Sequence, residues 1–460
     1  MPRQLTLSAM ELDTPSKTCR WSDFVGAHPV GDGRVPVSKP SPTGWAPTSH
    51  ASFAVQAISG DLPMFPCIDT LSSASAHERG QIYGQQAKDR IQHSVITYAR
   101  LFAACGIDWA SACERAMRFE QVIAQVDADL MAELRGMAQG SGQSLGSLMA
   151  LNCRTEILPS TFFTDTPQLA HAALAANRAA GLPDWLADAP WDDALKDGEC
   201  TAMGVTAAAS QTGQAWLAQN WDWMGRQRQA LVVLHSQGPS GQSITTLTEA
   251  GMLAKIGINQ SGFALGLNIL RSNRDGTRLG VPVHVLLRHL LDCRSVAHAR
   301  ERLQALQTDL GLGFGAASNV PCADAEGQVA CFEVSPAGWA EVTPTDGVVV
   351  HTNHFVCESL LAEQAPMGPG LSSHNRLSTA GQHALKTPIG RADLECFLRD
   401  ESDGFLSICR SPDPSVPPES RVESVAGIVM QTQPPAMWVA CDVPSRVAFE
   451  SVPLAKPVQL

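Results

Sequence analysis

Between residues 70 and 155 the apolar positions recur at helical spacing. Ala76 to Gln86 carries Gly80 and Gly84, and Ala87 to Phe102 places Ile91, Val95, Tyr98 and Leu101 on one face of an amphipathic helix. A second helix is predicted from Ser111 to Gln139, with Val122, Val126, Leu130, Leu134 and Met137 on its apolar side and Gly140 and Gly142 stopping it. A short third one, Ser144 to Asn152, leads into Cys153-Arg154-Thr155-Glu156.

After Cys200 the pattern changes to strands. Met203 to Ala208 and Gln214 to Asn220 flank the turn Gln211-Thr212-Gly213, as in a hairpin. Leu231 to Ser236, Ser243 to Glu249, Leu253 to Asn259 and Gly262 to Asn268 continue a meander. Helices follow at Val281 to Asp292 and Ser295 to Leu306, then strands at Val329 to Val334, Ala340 to Val342 and Val348 to Thr352. Helices at Ser373 to Leu385 and Arg391 to Arg399 precede closing strands at Val425 to Gln431 and Trp438 to Asp442. Runs of consecutive strands, broken by paired helices, predict an α+β protein with antiparallel sheets rather than a doubly wound parallel sheet.

Two stretches lack periodicity. Residues 1–60 are rich in Pro, Ser, Gly and Thr, above all Val35 to Ala51, and are expected to lack order. Residues 157–199 form a connection punctuated by Pro159, Pro167, Pro183 and Pro190, with one helix expected near Ala170 to Ala180. So long a connection inside a compact domain usually serves function or flexibility.

Composition narrows the function classes. A net charge of -12 and a pI near 5.5 argue against nucleic acid or an anionic membrane as partner. No segment approaches the roughly 20 apolar residues of a membrane span, and the first 30 residues lack the apolar core of a secretory signal. The 13 cysteines are odd in number, irregularly spaced and without a CxxC pair. That pattern predicts mostly buried thiols in a reducing compartment and argues against structural zinc.

One cysteine stands apart. Lys196-Asp197-Gly198-Glu199-Cys200-Thr201-Ala202 runs into a predicted strand, with Asn220-Trp221-Asp222 one hairpin further on. That order suits a thiol turned into a new amino terminus by cutting the chain before it. The freed α-amine, with a reference pKa of roughly 7.7 to 8.0, would then serve as the thiol's own general base.

Eight short runs together resemble the acyl-coenzyme A:6-aminopenicillanic acid (isopenicillin N) acyltransferases, within the N-terminal nucleophile hydrolases. They are Leu151 to Glu156, Asp197 to Thr201, Ala218 to Asp222, Thr248 to Gly251 with Lys255 to Gly257, Gly280 to Pro282, His351 to His354, His374 to Arg376, and Ser407 to Arg410. They occur in family order across about residues 76–450. The resemblance implies a four-layer αββα sandwich and self-cleavage between Glu199 and Cys200. It implies a helical fragment over residues 61–199 and a β-fragment over 200–460, held as a non-covalent heterodimer. By the same resemblance Cys200 is the nucleophile, Asp222 orients its amine, Asn353 donates to the oxyanion and Arg410 supplies fixed positive charge. Where the reference enzymes have Gly before the nucleophile, this chain has Glu199, a bulkier and charged residue at the scissile bond.

Other candidates are weaker. His351 and His354 flank Asn353 and would suit a Cys/His dyad, but a terminal amine makes a histidine base unnecessary. Gly311 to Gly315 faintly resembles a phosphate loop, yet no GK[ST] follows, so a flexible connection is expected. Two reactions share the acyl-enzyme: acyl transfer from a thioester or amide donor to a small amine, and hydrolysis of an N-acyl or aminoacyl amide. No cofactor or metal is expected, with acyl-coenzyme A a candidate co-substrate. The small-molecule amine or amide and the acyl donor are the expected partners, with no nucleic acid and no membrane. The cytoplasm is the expected location. The terminal Val458-Gln459-Leu460 shares only its Leu with the Ser-Lys-Leu peroxisomal signal.

Overall fold

The computed structural model describes residues 18–20, 64–158, 167–183, 199–367 and 372–456. Among the described residues eight α-helices precede Cys200: α1 Ala76–Gln86, α2 Lys88–Ala104, α3 Trp109–Met117, α4 Glu120–Val126, α5 Ala128–Ser141, α6 Leu145–Asn152, α7 Arg154–Ile157 and α8 Pro167–Ala179. The single helix expected over Ser111 to Gln139 is three. Asp127 leaves the helix in extended conformation and its carboxylate caps the Asp129 amide, so a local side-chain bond outcompetes continuation. Helix α8 starts three residues before its expected position and is pinned by Asn177, which donates to the Ala99 carbonyl and accepts from the Trp109 amide.

The strands are β1 Thr18–Arg20, β2 Cys67–Asp69, β3 Glu199–Val205, β4 Trp216–Met224, β5 Leu231–Gln237, β6 Ser243–Glu249, β7 Ile256–Asn259, β8 Ala264–Leu265, β9 Asn268–Ile269, β10 Ser318–Ala323, β11 Val329–Ser335, β12 Gly338–Thr343, β13 Val348–His351, β14 Val422–Thr432, β15 Pro435–Ala440 and β16 Glu450–Val452. They form two sheets. The larger runs β1-β12-β11-β10-β8-β7-β6-β5-β2, with β9 also against β10; the smaller runs β13-β3-β4-β14-β15-β16. Neighbours are antiparallel except at the two edges of the larger sheet, where β1 runs parallel to β12 and β2 to β5.

The sheets face each other, β3 against β9, β10 and β11, and β14 and β15 against β7. Helices α11 (Ser373–Ala384) and α12 (Arg391–Leu398) cover the outer face of the small sheet, α11 over β13 and β3 and α12 over β4 and β14. On the large sheet, Tyr83 of α1 donates to the Glu249 and Met252 carbonyls. Asn259 ties β7 to the end of α9 (Val283–Leu290), and Asp324 caps α10 (Val296–Thr308). This is the expected αββα arrangement. Residues from both sides of position 200, among them Tyr98, Phe102 and Leu151 with Leu247, Ile258 and Val429, share one apolar cluster. Among the described residues no helix is long and apolar enough to cross a membrane.

Four expectations need correction. Residues 18–20, inside the stretch expected to lack order, form β1 on the edge of the large sheet; the rest of 1–60 lies outside the described residues. Cys19 of β1 is disulfide-bonded to Cys357, while the other eleven cysteines are in no disulfide. Because Cys19 precedes residue 200 and Cys357 follows it, a cut before Cys200 would leave the two fragments covalently joined rather than a non-covalent pair. Strand β10 had no counterpart in the sequence reading: Ser318, Asn319 and Pro321 break its apolar pattern, and a proline in a central strand argues against one. Lastly, Gly311 to Gly315 is no loose connection, because Val281 brackets it with bonds to Gly313 and Gly315.

Candidate active site

Cys200 lies within β3, between β13 and β4, so the hairpin's first strand begins earlier than the apolar pattern suggested. The β13 register pairs His351 with Ala202, and two more steps along it bring Asn353 opposite Cys200. There the side chain of Asn353 replaces the backbone ladder. Its Oδ1 accepts from the Cys200 N–H at 2.7 Å and from Arg376 Nη2 at 3.0 Å, and its Nδ2 donates to the Ile269 carbonyl. The amide orientation follows from these partners, since both groups on Oδ1 can only donate and the one on Nδ2 can only accept. The Asn353 backbone amide donates to Ser373 Oγ, which fixes the residue to α11.

Arg376, also on α11, closes the other side. Its Nη1 donates to the Cys200 carbonyl at 2.7 Å and to Thr201 Oγ1 at 2.8 Å. Both backbone groups of Cys200 therefore point toward Asn353 and Arg376, away from β4.

Asp222 sits opposite Glu199 in the β3–β4 register. Its Oδ1 accepts from Ser424 Oγ, the residue facing it on β14 beside a bulge. Ser424 Oγ in turn accepts from the Arg410 amide, and the Arg410 carbonyl accepts from the Ser424 amide. Arg410 is thus joined to Asp222 through its backbone, while its Nε donates to the Val422 carbonyl. Asn353 holds the Cys200 nitrogen and Arg376 its carbonyl, while Asp222 and Arg410 are joined to each other through Ser424. One of the two Nδ2 hydrogens of Asn353 goes to the Ile269 carbonyl.

The Cys200 thiol is buried, and burial pushes it up to about 12, with the Asp222 carboxylate adding to the effect. The Asp222 backbone amide, Lys255 and Arg376 pull the other way. Lys255 belongs to a second buried cluster. Its Nζ lies 2.9 Å from Glu249 Oε2 and 3.7 Å from the centre of the Trp221 ring. Glu249 Oε1 accepts from Tyr98 and Gln227, and Arg154 stacks over Trp223 at 4.7 Å. Asn152 holds the turn between Glu249 and Lys255 by donating to the Gly251 carbonyl and accepting from the Leu253 amide.

The histidines are engaged elsewhere. His351 Nε2 lies 2.8 Å from Glu333 Oε1, and His354 Nδ1 lies 2.7 Å from Ser373 Oγ. Burial holds the His354 imidazole down at about 2, with His374, His351 and Arg376 contributing in the same direction. Neither suits a base for Cys200. Arg376, Glu249 and Lys255 all lay within runs quoted for the resemblance. Lys255 is a lone charge in the apolar run Met252 to Ile258, which is a signal for a buried ion, whereas Arg376 stands in a polar run that carries none.

The model of the family described as acyl-coenzyme A:6-aminopenicillanic acid acyl-transferase matches residues 209–445, just over half of the chain, starting nine residues after Cys200. The acyl-coenzyme A:6-aminopenicillanic-acid-acyltransferase 40 kDa form of Emericella nidulans is 26% identical over 340 residues, covering 73% of this chain and 82% of that protein. Among solved structures, penicillin V acylase from Agrobacterium tumefaciens is 15% identical, with a TM-score of 0.35, covering 53% of this chain and 83% of its own. The Caenorhabditis elegans ortholog of N-acylethanolamine-hydrolyzing acid amidase is 14% identical, with a TM-score of 0.35, covering 55% of this chain and all of its own.

Proposed function

The chain belongs to the acyl-coenzyme A:6-aminopenicillanic acid acyltransferase family, and from that premise we propose that it is a self-processed cysteine enzyme that carries an acyl group on Cys200. Family membership supports an enzyme that acts on acyl-amide bonds. The observation that carries the finer reading is the 2.7 Å bond that the Cys200 N–H donates to Asn353 Oδ1.

In processing, Cys200 Sγ adds to the carbonyl carbon of Glu199. The carbon–nitrogen bond breaks, the nitrogen takes up a proton to become an amine, and a thioester is left on sulfur. Water opens that thioester, returning the thiol and leaving a carboxylate on Glu199. Asn353 would keep the departing nitrogen in place, and Arg376 would keep the Cys200 carbonyl from following it. In turnover the α-amine takes the thiol proton, and the thiolate takes the acyl group from a thioester or amide donor whose thiol or amine leaves with that proton. A small amine then displaces the acyl group, giving up a proton that restores the Cys200 thiol. No cofactor is required, and acyl-coenzyme A enters as co-substrate. The cytoplasmic location expected from the sequence conflicts with the Cys19–Cys357 disulfide, which an oxidising compartment favours, and cell fractionation decides between them.

Intact-mass analysis of the reduced protein provides the test. A cut before Cys200 gives chains of 199 and 261 residues, about 21 and 28 kDa from a total of 49.0 kDa. Cys200→Ala should stay at full mass, whereas Cys409→Ala should still be cut. Full activity from an uncut wild-type chain would overturn the amine as base. Release of free coenzyme A from acyl-coenzyme A donors, with and without added amines, then separates transfer from hydrolysis.

A further inference from the structure

Processing poses a problem that the α-amine cannot solve, because that amine does not exist until the chain is cut. The uncut chain must ionise a buried thiol beside the Asp222 carboxylate, and both surroundings disfavour the thiolate. A cation on the thiol's side of the sheet would oppose them.

The register supplies that position. Cys200 directs both backbone groups away from β4, so its pair with Trp221 is the non-hydrogen-bonded kind, in which facing side chains come closest. Directly opposed residues share a face, so the thiol and the Trp221 ring emerge together. The Lys255 ammonium lies 3.7 Å from the centre of that ring and 6.0 Å from that of Trp223, two residues along on the same face. Lys255 immediately precedes β7 and so comes from the large sheet, across the interface. It is buried, and its charge is compensated by Glu249 at 2.9 Å. Glu249 is itself fixed by Tyr98 and Gln227 and lies 3.9 Å from Arg154.

We propose that Lys255 is the positioning cation of the Cys200 thiol: anchored on Glu249 and seated over the Trp221 ring, it favours the thiolate in both the uncut and the cut chain. The inference deepens the processing mechanism and rests on Cys200 being the nucleophile. The ionisable groups facing Lys255 are Glu249 from β6, Arg154 from α7, Cys200 from β3 and the buried His284 from α9. Burial lowers Lys255 to about 8, Arg154 adds to that, and Glu249 works against it. The cation is therefore present below about pH 8 and fades as pH rises through that value.

The test is iodoacetamide labelling of the full chain as a function of pH, with the Cys200 peptide quantified by mass spectrometry. Lys255→Gln keeps a donor for Glu249 without the charge, Lys255→Met removes both, and Lys255→Arg keeps the charge. In whichever neutral variant folds as wild type, Cys200 labelling near pH 7 should fall about tenfold and its pH profile should move up. Lys255→Arg should restore most of the loss. An unmoved profile in a folded neutral variant overturns the proposal, as does an Arg variant that loses as much as the Gln variant, which would mark the role as packing. Labelling reads the thiol whether or not the chain is cut. An uncut wild type with a Lys255-dependent profile would therefore defeat self-processing and leave this inference standing.

Discussion

The Asn353 side chain has three bonds to three different elements: Cys200 on β3, Ile269 on β9 and Arg376 on α11. Asn353→Ala would remove the Asn353 bonds to the Ile269 carbonyl and to Arg376 Nη2, and would release the Cys200 nitrogen. Self-cleavage should slow by about 10²-fold, in the range seen when one electrostatic donor is removed from an acyl-transfer site. A time course of chain cleavage after synthesis checks this, and a wild-type rate would show that Asn353 holds the fold rather than the reaction. At this scale the sequence was most informative about identity and least about contacts. Cys200, Asp222 and Asn353 could be singled out from local runs. That Asn353 meets the Cys200 nitrogen depends on a β13–β3 pairing across 153 residues, which no local pattern encodes.

Among the elements, α1 and α5 show how composition sets distance. Gly80 and Gly84 on α1 face Gly136 and Gly140 on α5, and the backbones touch. A Cβ added at Gly80 would lie 1.9 Å from the Glu133 carbonyl oxygen, and one at Gly136 would lie 1.9 Å from that of His77. Gly80→Ala must therefore push the helices apart. That would unpack Tyr83, which anchors α1 to the carbonyls of Glu249 and Met252. A loss of about 3 kcal/mol is expected, as for overpacking in a core, read as a shifted midpoint in urea denaturation. An unchanged midpoint would mean that the helix pair is looser than described. Helix spacing and the hairpin were legible because their periodicity is local. Strand β10 was not, because burial on both faces and Pro321 erase the alternation that identifies a strand.

On the scale of the whole molecule, a buried acid reports on pH. Glu156 joins α7 to α9 by accepting from the Val283 amide at 2.9 Å. Burial raises its carboxyl to about 8 from an ordinary 4.5, with Asp275 adding, while the Val283 and Glu156 amides and Arg154 oppose. The folded state thus keeps a proton that the unfolded chain releases. The group's contribution is fully favourable below about pH 4.5 and is lost as pH rises toward 8. Glu156→Gln keeps the acceptor and removes the titration. The variant should gain thermal stability over wild type progressively from about pH 5 to pH 8, measured as Tm against pH. A gap that stays constant with pH would refute the assignment.

The bond between Cys19 and Cys357 closes a loop of 338 residues, and the proposed scissile bond lies inside it. Opening a peptide bond within a closed loop separates nothing. A mature enzyme analysed without reductant would migrate as one species and weigh one water more than its precursor, so an ordinary gel would score it as unprocessed. Only reductant, or Cys19→Ser, would resolve the two chains, and comparing lanes with and without reductant makes the difference visible. The tether would also make the pairing of the halves unimolecular and therefore indifferent to dilution. Whatever the concentration of enzyme, each nucleophile would remain with the Arg154 and Tyr98 of the polypeptide that made it.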